Sequence, residues 1–138
     1  MIEVDIPQKE INKLLKDLNK YGEAQEQKTK DNLHESGLKI ESDAKMDLTE
    51  NSHVDTGRLR SSVHWESNTI NRNYTNSDNS GNSFNGSLGV NPDKLEIYVG
   101  TNVEYADKIR RIDDFLFPYA EKERVQLIRR LKKQLSEA

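Results

Sequence analysis

The sequence predicts an α+β fold in which a small antiparallel sheet packs against a long helix and a C-terminal helix. Apolar residues recur at helical spacing between Ile11 and Leu48, short β-branched and aromatic runs with period-two alternation fill the middle, and an amphipathic segment with dipole-ordered charges closes the chain. At 138 residues the chain fits one ordinary domain. We expect a single domain over 1–138, with N-terminal helices at 7–48, a sheet at 63–100 carrying a flexible loop at 71–87, and C-terminal helices at 104–136.

After Pro7, the residues Ile11, Leu14, Leu15, Leu18 and Tyr21 repeat with Lys, Asp and Asn between them, which predicts a first helix whose start tolerates the proline. Gly22 marks a break. From Glu23 to Leu48, Leu33, Gly37, Ile40, Ala44 and Leu48 fall on one stripe of a second, long helix. Its first half, through about Asn32, has little apolar face and is expected to rely on solvent or a neighbouring subunit. Thr49 to His53 has turn chemistry, and Asp55-Thr56-Gly57 can cap a short helical turn through Ser62. Val63 to Ile70 reads as a strand with Val63, Trp65 and Ser67 on one face. Leu95 to Val99 reads as a second, with Leu95, Ile97 and Val99 on the core side. Ser87 to Val90 could add a short strand, joined to it by a hairpin turn at Asn91-Pro92-Asp93-Lys94.

Between Asn71 and Ser87 the chain is rich in Asn, Ser and Gly, with Tyr74 and Phe84 as the large anchors. Such a segment has too little apolar surface to order itself, so it is either a tolerated insertion at a hairpin tip or a part that orders on docking to a partner. Glu104 to Ile112 reads as a short helix. From Asp113 or Asp114 a capped helix runs to about Leu135, with Leu116, Ala120, Leu127, Leu131 and Leu135 as its apolar face, Tyr119 and Ile128 beside it, and Pro118 in its first turns.

Hydrophobic residues make up 33% of the chain and charged residues 33%, which is lean for a monomer that must offset its ordering entropy with its own apolar burial. That balance leaves room for a partner to complete the core. The net charge of -3 gives no basic surplus for a general polyanion binder. Cysteine is absent, which excludes a disulfide framework and thiolate metal sites and suits a reducing compartment. The start, Met1-Ile2-Glu3-Val4-Asp5-Ile6-Pro7, lacks a secretory signal pattern, and no window holds the roughly 18 to 20 apolar residues that span a bilayer. A soluble product without a membrane partner is expected.

His34, His53 and His64 invite a metal reading, and His53 with Asp55 offers two donors on one turn, yet no His-Glu-x-x-His spacing supplies a set. No carboxylate pair stands out as acid and base, and no Gly-x-Ser-x-Gly elbow supports a nucleophile. Neither an enzyme nor a cofactor is expected. Gly57 and Gly100 sit in no phosphate-binding loop and serve tight backbone turns. Arg58 and Arg60 suit carboxylates across a subunit boundary, because a guanidinium keeps its charge and binds them in a bidentate way. Arg129-Arg130 with Lys132-Lys133 is the best nucleic-acid candidate, but aromatics do not interleave it and a helix dipole accounts for its place, so direct DNA binding is not expected.

Three segments stand in order: Val54-Asp55-Thr56-Gly57-Arg58-Leu59-Arg60-Ser61-Ser62-Val63, then Val99-Gly100-Thr101-Asn102-Val103-Glu104-Tyr105-Ala106, then Phe115-Leu116-Phe117-Pro118-Tyr119-Ala120. Together they resemble the "gene product ten-like" tail-component family of long-tailed bacteriophages. The family pattern has a long helix, a Val-x-Thr-Gly-x-Leu-Arg-x-Ser-hydrophobic box, a strand ending in Val-Gly-Thr, a Tyr-Ala pair and a late Pro-Phe-Leu-x-Pro-Ala stretch. Val54, Thr56, Gly57, Leu59, Arg60, Ser62 and Val63 match the first box, Val99, Gly100 and Thr101 the second, and Tyr105 and Ala106 the pair. The family's Val-Glu-x-Gly-Thr continuation is missing, since Asp107 to Asp114 run almost directly into Phe115.

The resemblance implies a structural protein of the virion neck or tail, made in the host cytoplasm, that completes the tail or joins it to the head. It implies a ring of identical subunits, monomeric or not in isolation, that meets the tail-tube protein on one side and head connector or stopper proteins on the other. A ring needs two different matching surfaces on each subunit. The polar first half of the long helix and the 71–87 segment, with Tyr74 and Phe84 as docking anchors, are the expected ones. A nucleic-acid-binding accessory protein using the basic C-terminal helix is the alternative.

Overall fold

In the computed structural model the described residues are 2–5, 23–51 and 57–137, with side chains described from residue 25 onward. The helix expected between Ile11 and Tyr21 lies outside them, as do Val54 and Thr56. Among the described residues the elements are β1 (Ile2–Asp5), α1 (Glu23–Glu50), α2 (Arg58–Ser62), β2 (His64–Glu66), β3 (Thr75–Ser77), β4 (Ser83–Asn85), β5 (Tyr98–Thr101), α3 (Ala106–Ile112) and α4 (Phe117–Ser136). This is the expected α+β arrangement of a long helix, small antiparallel sheets and a C-terminal helix.

The main sheet has the order β1-β5-β2 with both pairings antiparallel. Ile2 stands opposite Thr101 and Asp5 opposite Tyr98, while His64 stands opposite Gly100 and Glu66 opposite Tyr98. Strand β1 was not expected, although Ile2-Glu3-Val4-Asp5 alternates apolar and acidic residues as a half-buried strand does. The expected strands are shorter than their patterns suggest. Ile97 and Val99 are buried and Leu95 packs against the core, but a turn closed by Glu96 N–H on Asp93 O at 3.2 Å holds residues 93–96 out of the strand. Ser87 to Val90 forms no strand, so the turn after it closes no hairpin.

The 71–87 segment, expected to be a loop without regular structure, contains the hairpin β3–β4, in register from Thr75↔Asn85 to Ser77↔Ser83. Local hydrogen bonds replace the missing apolar burial. Asp78 accepts the N–H groups of Ser80 at 2.9 Å and Asn82 at 3.0 Å, and the Asn82 side chain as well. These bonds, Asn82 first, hold the Asp78 carboxyl below its ordinary range. Gly81, at φ 86°, supplies the left-handed residue of the turn.

The core lies between α1, α4 and the sheet. Leu33, Ile40, Ala44 and Leu48 from α1 meet Leu116, Ala120, Leu127 and Leu131 from the α4 side, and Phe115, Ile97, Val99, Val63 and Val103 fill the space beneath. Gly37 lets α1 approach the sheet: a Cβ there would lie 2.8 Å from Trp65 Cγ. Helix α4 begins where Asp114 Oδ1 accepts the N–H of Leu116 at 3.2 Å and of Phe117 at 3.0 Å, with Pro118 in its first turn.

Beside the leucines, α1 and α4 are joined by polar contacts in antiparallel order. Gln134 Nε2 donates to Gln25 O at 3.0 Å, and Asn32 Nδ2 donates to Gln134 Oε1 at 2.9 Å. Arg130 reaches Glu123 at 3.0 Å and Ser36 Oγ at 2.5 Å, and Tyr119 reaches Asp47 at 2.5 Å. The first half of the long helix therefore leans on the chain's own C-terminal helix, because its polar residues find partners there.

Filling the Gly37 contact overpacks a tight seam, so Gly37→Ala is expected to cost about 1–3 kcal/mol by urea unfolding, and an unchanged midpoint would contradict the packing. The hydrogen bond to Asp47, with burial and nearby Asp47, Asp113 and Glu50 charge, pushes the Tyr119 phenol from 10.0 up to about 12. A raised folded value makes this contribution complete below the ordinary pKa of 10.0 and lost as pH rises through about 12. Tyr119→Phe is expected to flatten the alkaline fall in stability across that window, read from urea midpoints at increasing pH; parallel curves for the two proteins would refute the contact.

Candidate functional site

The first two sequence boxes meet at one buried junction. Gly57 takes φ 72°, where a side chain would be strained and would collide with the Asn79 amide, and it starts α2. One turn on, Leu59 enters the core and Ser62 is fully buried. The Ser62 hydroxyl donates to Leu59 O at 2.7 Å, so the Thr101 hydroxyl, 2.5 Å away, donates to Ser62 Oγ, and Thr101 Oγ1 in turn accepts the Val103 N–H at 3.1 Å. This chain of bonds ties the end of α2 to the end of β5. Val99 and Gly100 sit in the middle strand, Gly100 opposite both Glu3 and His64. Ala106 is fully buried at the start of α3, and Tyr105 packs against the core just before it.

Beside the junction, the hairpin is fastened to α2. The Arg58 guanidinium lies 4.2 Å from the Phe84 ring centroid and pairs with Glu104 at 3.1 Å. The Tyr74 hydroxyl donates to Ser61 O at 2.7 Å, and Ser61 Oγ donates to Ser77 O. Arg60 Nη1 donates to Thr49 Oγ1 at 3.3 Å. Thus Arg58 and Arg60, expected to face carboxylates across a subunit boundary, have partners within their own chain. Tyr74 and Phe84, named as docking anchors, hold the hairpin down.

Strand β2 departs from its expected facing. Trp65 does pack toward α1, stacked with His34 at 4.8 Å, and burial there lowers the His34 pKa. The opposite face is also covered, and His64 and Glu66 are completely buried. His64 Nδ1 faces Ser62 O at 2.7 Å and so carries hydrogen, and Nε2 faces Glu66 Oε2 at 2.7 Å, leaving one proton shared between ring and carboxylate. The same Oε2 accepts the Leu88 N–H at 2.7 Å, and the ring stacks on Tyr74 at 3.8 Å. The i, i+2 spacing of His64 and Glu66 is the signal that puts both on one strand face.

No group of three or more possible metal ligands occurs among the described residues, and no described helix is long and apolar enough to cross a membrane. Of the basic C-terminal cluster, Arg130 is committed to Glu123, Ser36 and Asn32, while Arg129, Lys132 and Lys133 are exposed. Glu66→Ala leaves the His64 ring nitrogen and the Leu88 N–H buried without their partner, so it is expected to cost about 1–3 kcal/mol for each group left unpaired and to speed hydrogen exchange at the Leu88 amide. An unfolding midpoint equal to that of the parent protein would show that the pair does not hold the hairpin.

Searches of curated proteins and of solved structures give no match. A family model described as "Bacteriophage HK97-gp10, putative tail-component" matches residues 12–107, which takes in α1, the junction and the hairpin. The match covers more than half of the chain and includes both boxes that meet at Ser62 and Thr101, so the chain belongs to the HK97-gp10-like family of bacteriophage tail components.

Proposed function

We propose that this tail component is a ring-forming structural subunit of the virion neck that completes the tail or joins it to the head. The observation that carries the reading is the family match over 12–107, which gives the tail assignment. The geometry supports a role without turnover. The motif residues are spent on holding α2, β5 and the hairpin together, and a rigid frame is what a docking subunit needs to present its surfaces at low entropic cost.

In this reading the subunit contacts its own copies around the tail axis, the tail-tube protein on one side and a head connector or stopper on the other, after synthesis in the host cytoplasm. A closed ring makes one heterologous contact many times over, so modest pairwise affinity suffices once the tail end templates the first subunits. The nucleic-acid alternative is weakened because Arg130, one of its four cations, is held in the α1–α4 seam.

A phage lacking this gene is expected to yield filled heads and separate tails under the electron microscope, with joined particles restored by supplying the protein in trans. Normally joined, infectious virions in its absence would contradict the proposal.

A further inference from the structure

The hairpin β3–β4 lies outside the apolar core. No side chain from residue 67 to residue 94 belongs to that core, and from Arg72 to Leu88 the one aliphatic side chain is Leu88, buried at the far end. Otherwise hydrogen bonds and ring contacts fasten the hairpin to the body. Tyr74 stacks on His64 and donates to Ser61 O, and the Ser77 N–H donates to Ser61 Oγ at 3.2 Å. Phe84 lies against Arg58, Asn102 Nδ2 donates to Asn85 O at 2.8 Å and to Ser87 O at 3.2 Å, and the Leu88 N–H reaches Glu66. Each of these bonds contributes less, net, than a fully buried leucine, and the body is held by a whole cluster of buried apolar side chains.

The underside and the two ends of the hairpin point the same way. Asn76 shares the inward face of β3 with Tyr74 and is 5% exposed, yet neither polar atom of its amide has a hydrogen-bond partner among the described residues. Closing the hairpin takes that amide out of water with no protein partner in return, and opening it gives the amide back to solvent. At one end Asn71 takes φ 62°, the one non-glycine residue at positive φ among the described residues, and at the other the exposed Gly89 takes φ 70°. Both residue types enter and leave the left-handed region at low cost, so a change of φ and ψ at these two positions swings the segment between them without breaking its own pairing.

We propose that residues 72–88 form a strap, hinged at Asn71 and Gly89, that opens as one unit while α1, α4 and the main sheet stay folded. Closed, the strap occupies the Tyr74 ring with His64 and the Phe84 ring with Arg58, and it covers the His64–Glu66 pair. Open, it presents both rings to solvent and uncovers the pair. The closed form thus withholds two aromatic side chains that the open form offers. Separate opening follows from the balance of contacts: the strap gives up a few polar bonds, two ring contacts and one leucine, whereas the body comes apart only with its whole apolar cluster.

Amide hydrogen exchange of the isolated protein in rising urea, below its unfolding transition, tests this. The N–H groups of Asp78, Gly86 and Leu88, bonded to Asn82 O, Tyr74 O and Glu66, are expected to exchange through one shared opening. Their protection is expected to be at least roughly tenfold lower than that of Ile40 and Leu127 in the two long helices, with a weaker urea dependence because less surface is exposed. Tyr74→Phe keeps the ring stack and removes the bond to Ser61 O, so it is expected to speed all three strap amides together by roughly two- to tenfold, Leu88 included although it lies at the other end of the strap. The strap is refuted if the three amides exchange only in the global unfolding that also exposes Ile40 and Leu127, if they follow three unrelated urea dependences, or if they show no protection. A Tyr74→Phe effect confined to Gly86, or absent from all three, would refute it equally.

Discussion

Strand β5 is hydrogen-bonded on both edges, and the rest of the fold is placed relative to it. It has only four residues, Tyr98–Thr101, yet it pairs with β1 and β2 and sends Val99 into the core. Its last residue, Thr101, bonds Ser62 and the Val103 N–H, so one hydroxyl fixes both the helical turn before β2 and the chain leaving the sheet. A sheet this small has little ladder energy of its own. It depends on these end contacts and on the helices that cover it.

The covering layer is a two-helix seam whose centre is apolar and whose flank is polar. Leu33, Ile40, Leu127 and Leu131 supply the burial, at roughly 1.5–3 kcal/mol for each such side chain removed from water. The bonds from Gln25 to Gln134, Ser36 to Arg130 and Asp47 to Tyr119 run along the full contact, and a shift of one helix by a turn would break them together. The leucines make the seam stable, and the polar row sets its register. It also explains why a chain as charged as it is apolar can fill a core: several of its polar residues are internal partners.

Much of this was legible in the sequence. The stripe Leu33, Gly37, Ile40, Ala44 and Leu48 is a direct consequence of helical spacing, and the late leucines mark α4 in the same way. Strand extent was not legible, because a turn at Asp93 and a hairpin anchored by Tyr74 cut the β-patterned runs short, and both depend on contacts far along the chain. His64 and Glu66 were missed because the hairpin covers a face that alternation alone assigns to solvent. The polar first half of α1 was read as facing solvent or another subunit, since nothing local tells Gln25 that Gln134 waits beside it. For the site, the boxes were found as sequence, but that Ser62 and Thr101 touch required the fold.

The described motif residues, seen this way, act by holding the fold together. The most direct test is a double-mutant cycle on Ser62→Ala and Thr101→Val, measured by urea unfolding of the isolated protein. The account predicts that the two changes together cost less than the sum of their separate costs, with a coupling of about 0.5–3 kcal/mol. Additivity to within about 0.3 kcal/mol would mean that the hydroxyl chain does not join the boxes, and the frame would have to be explained by packing alone.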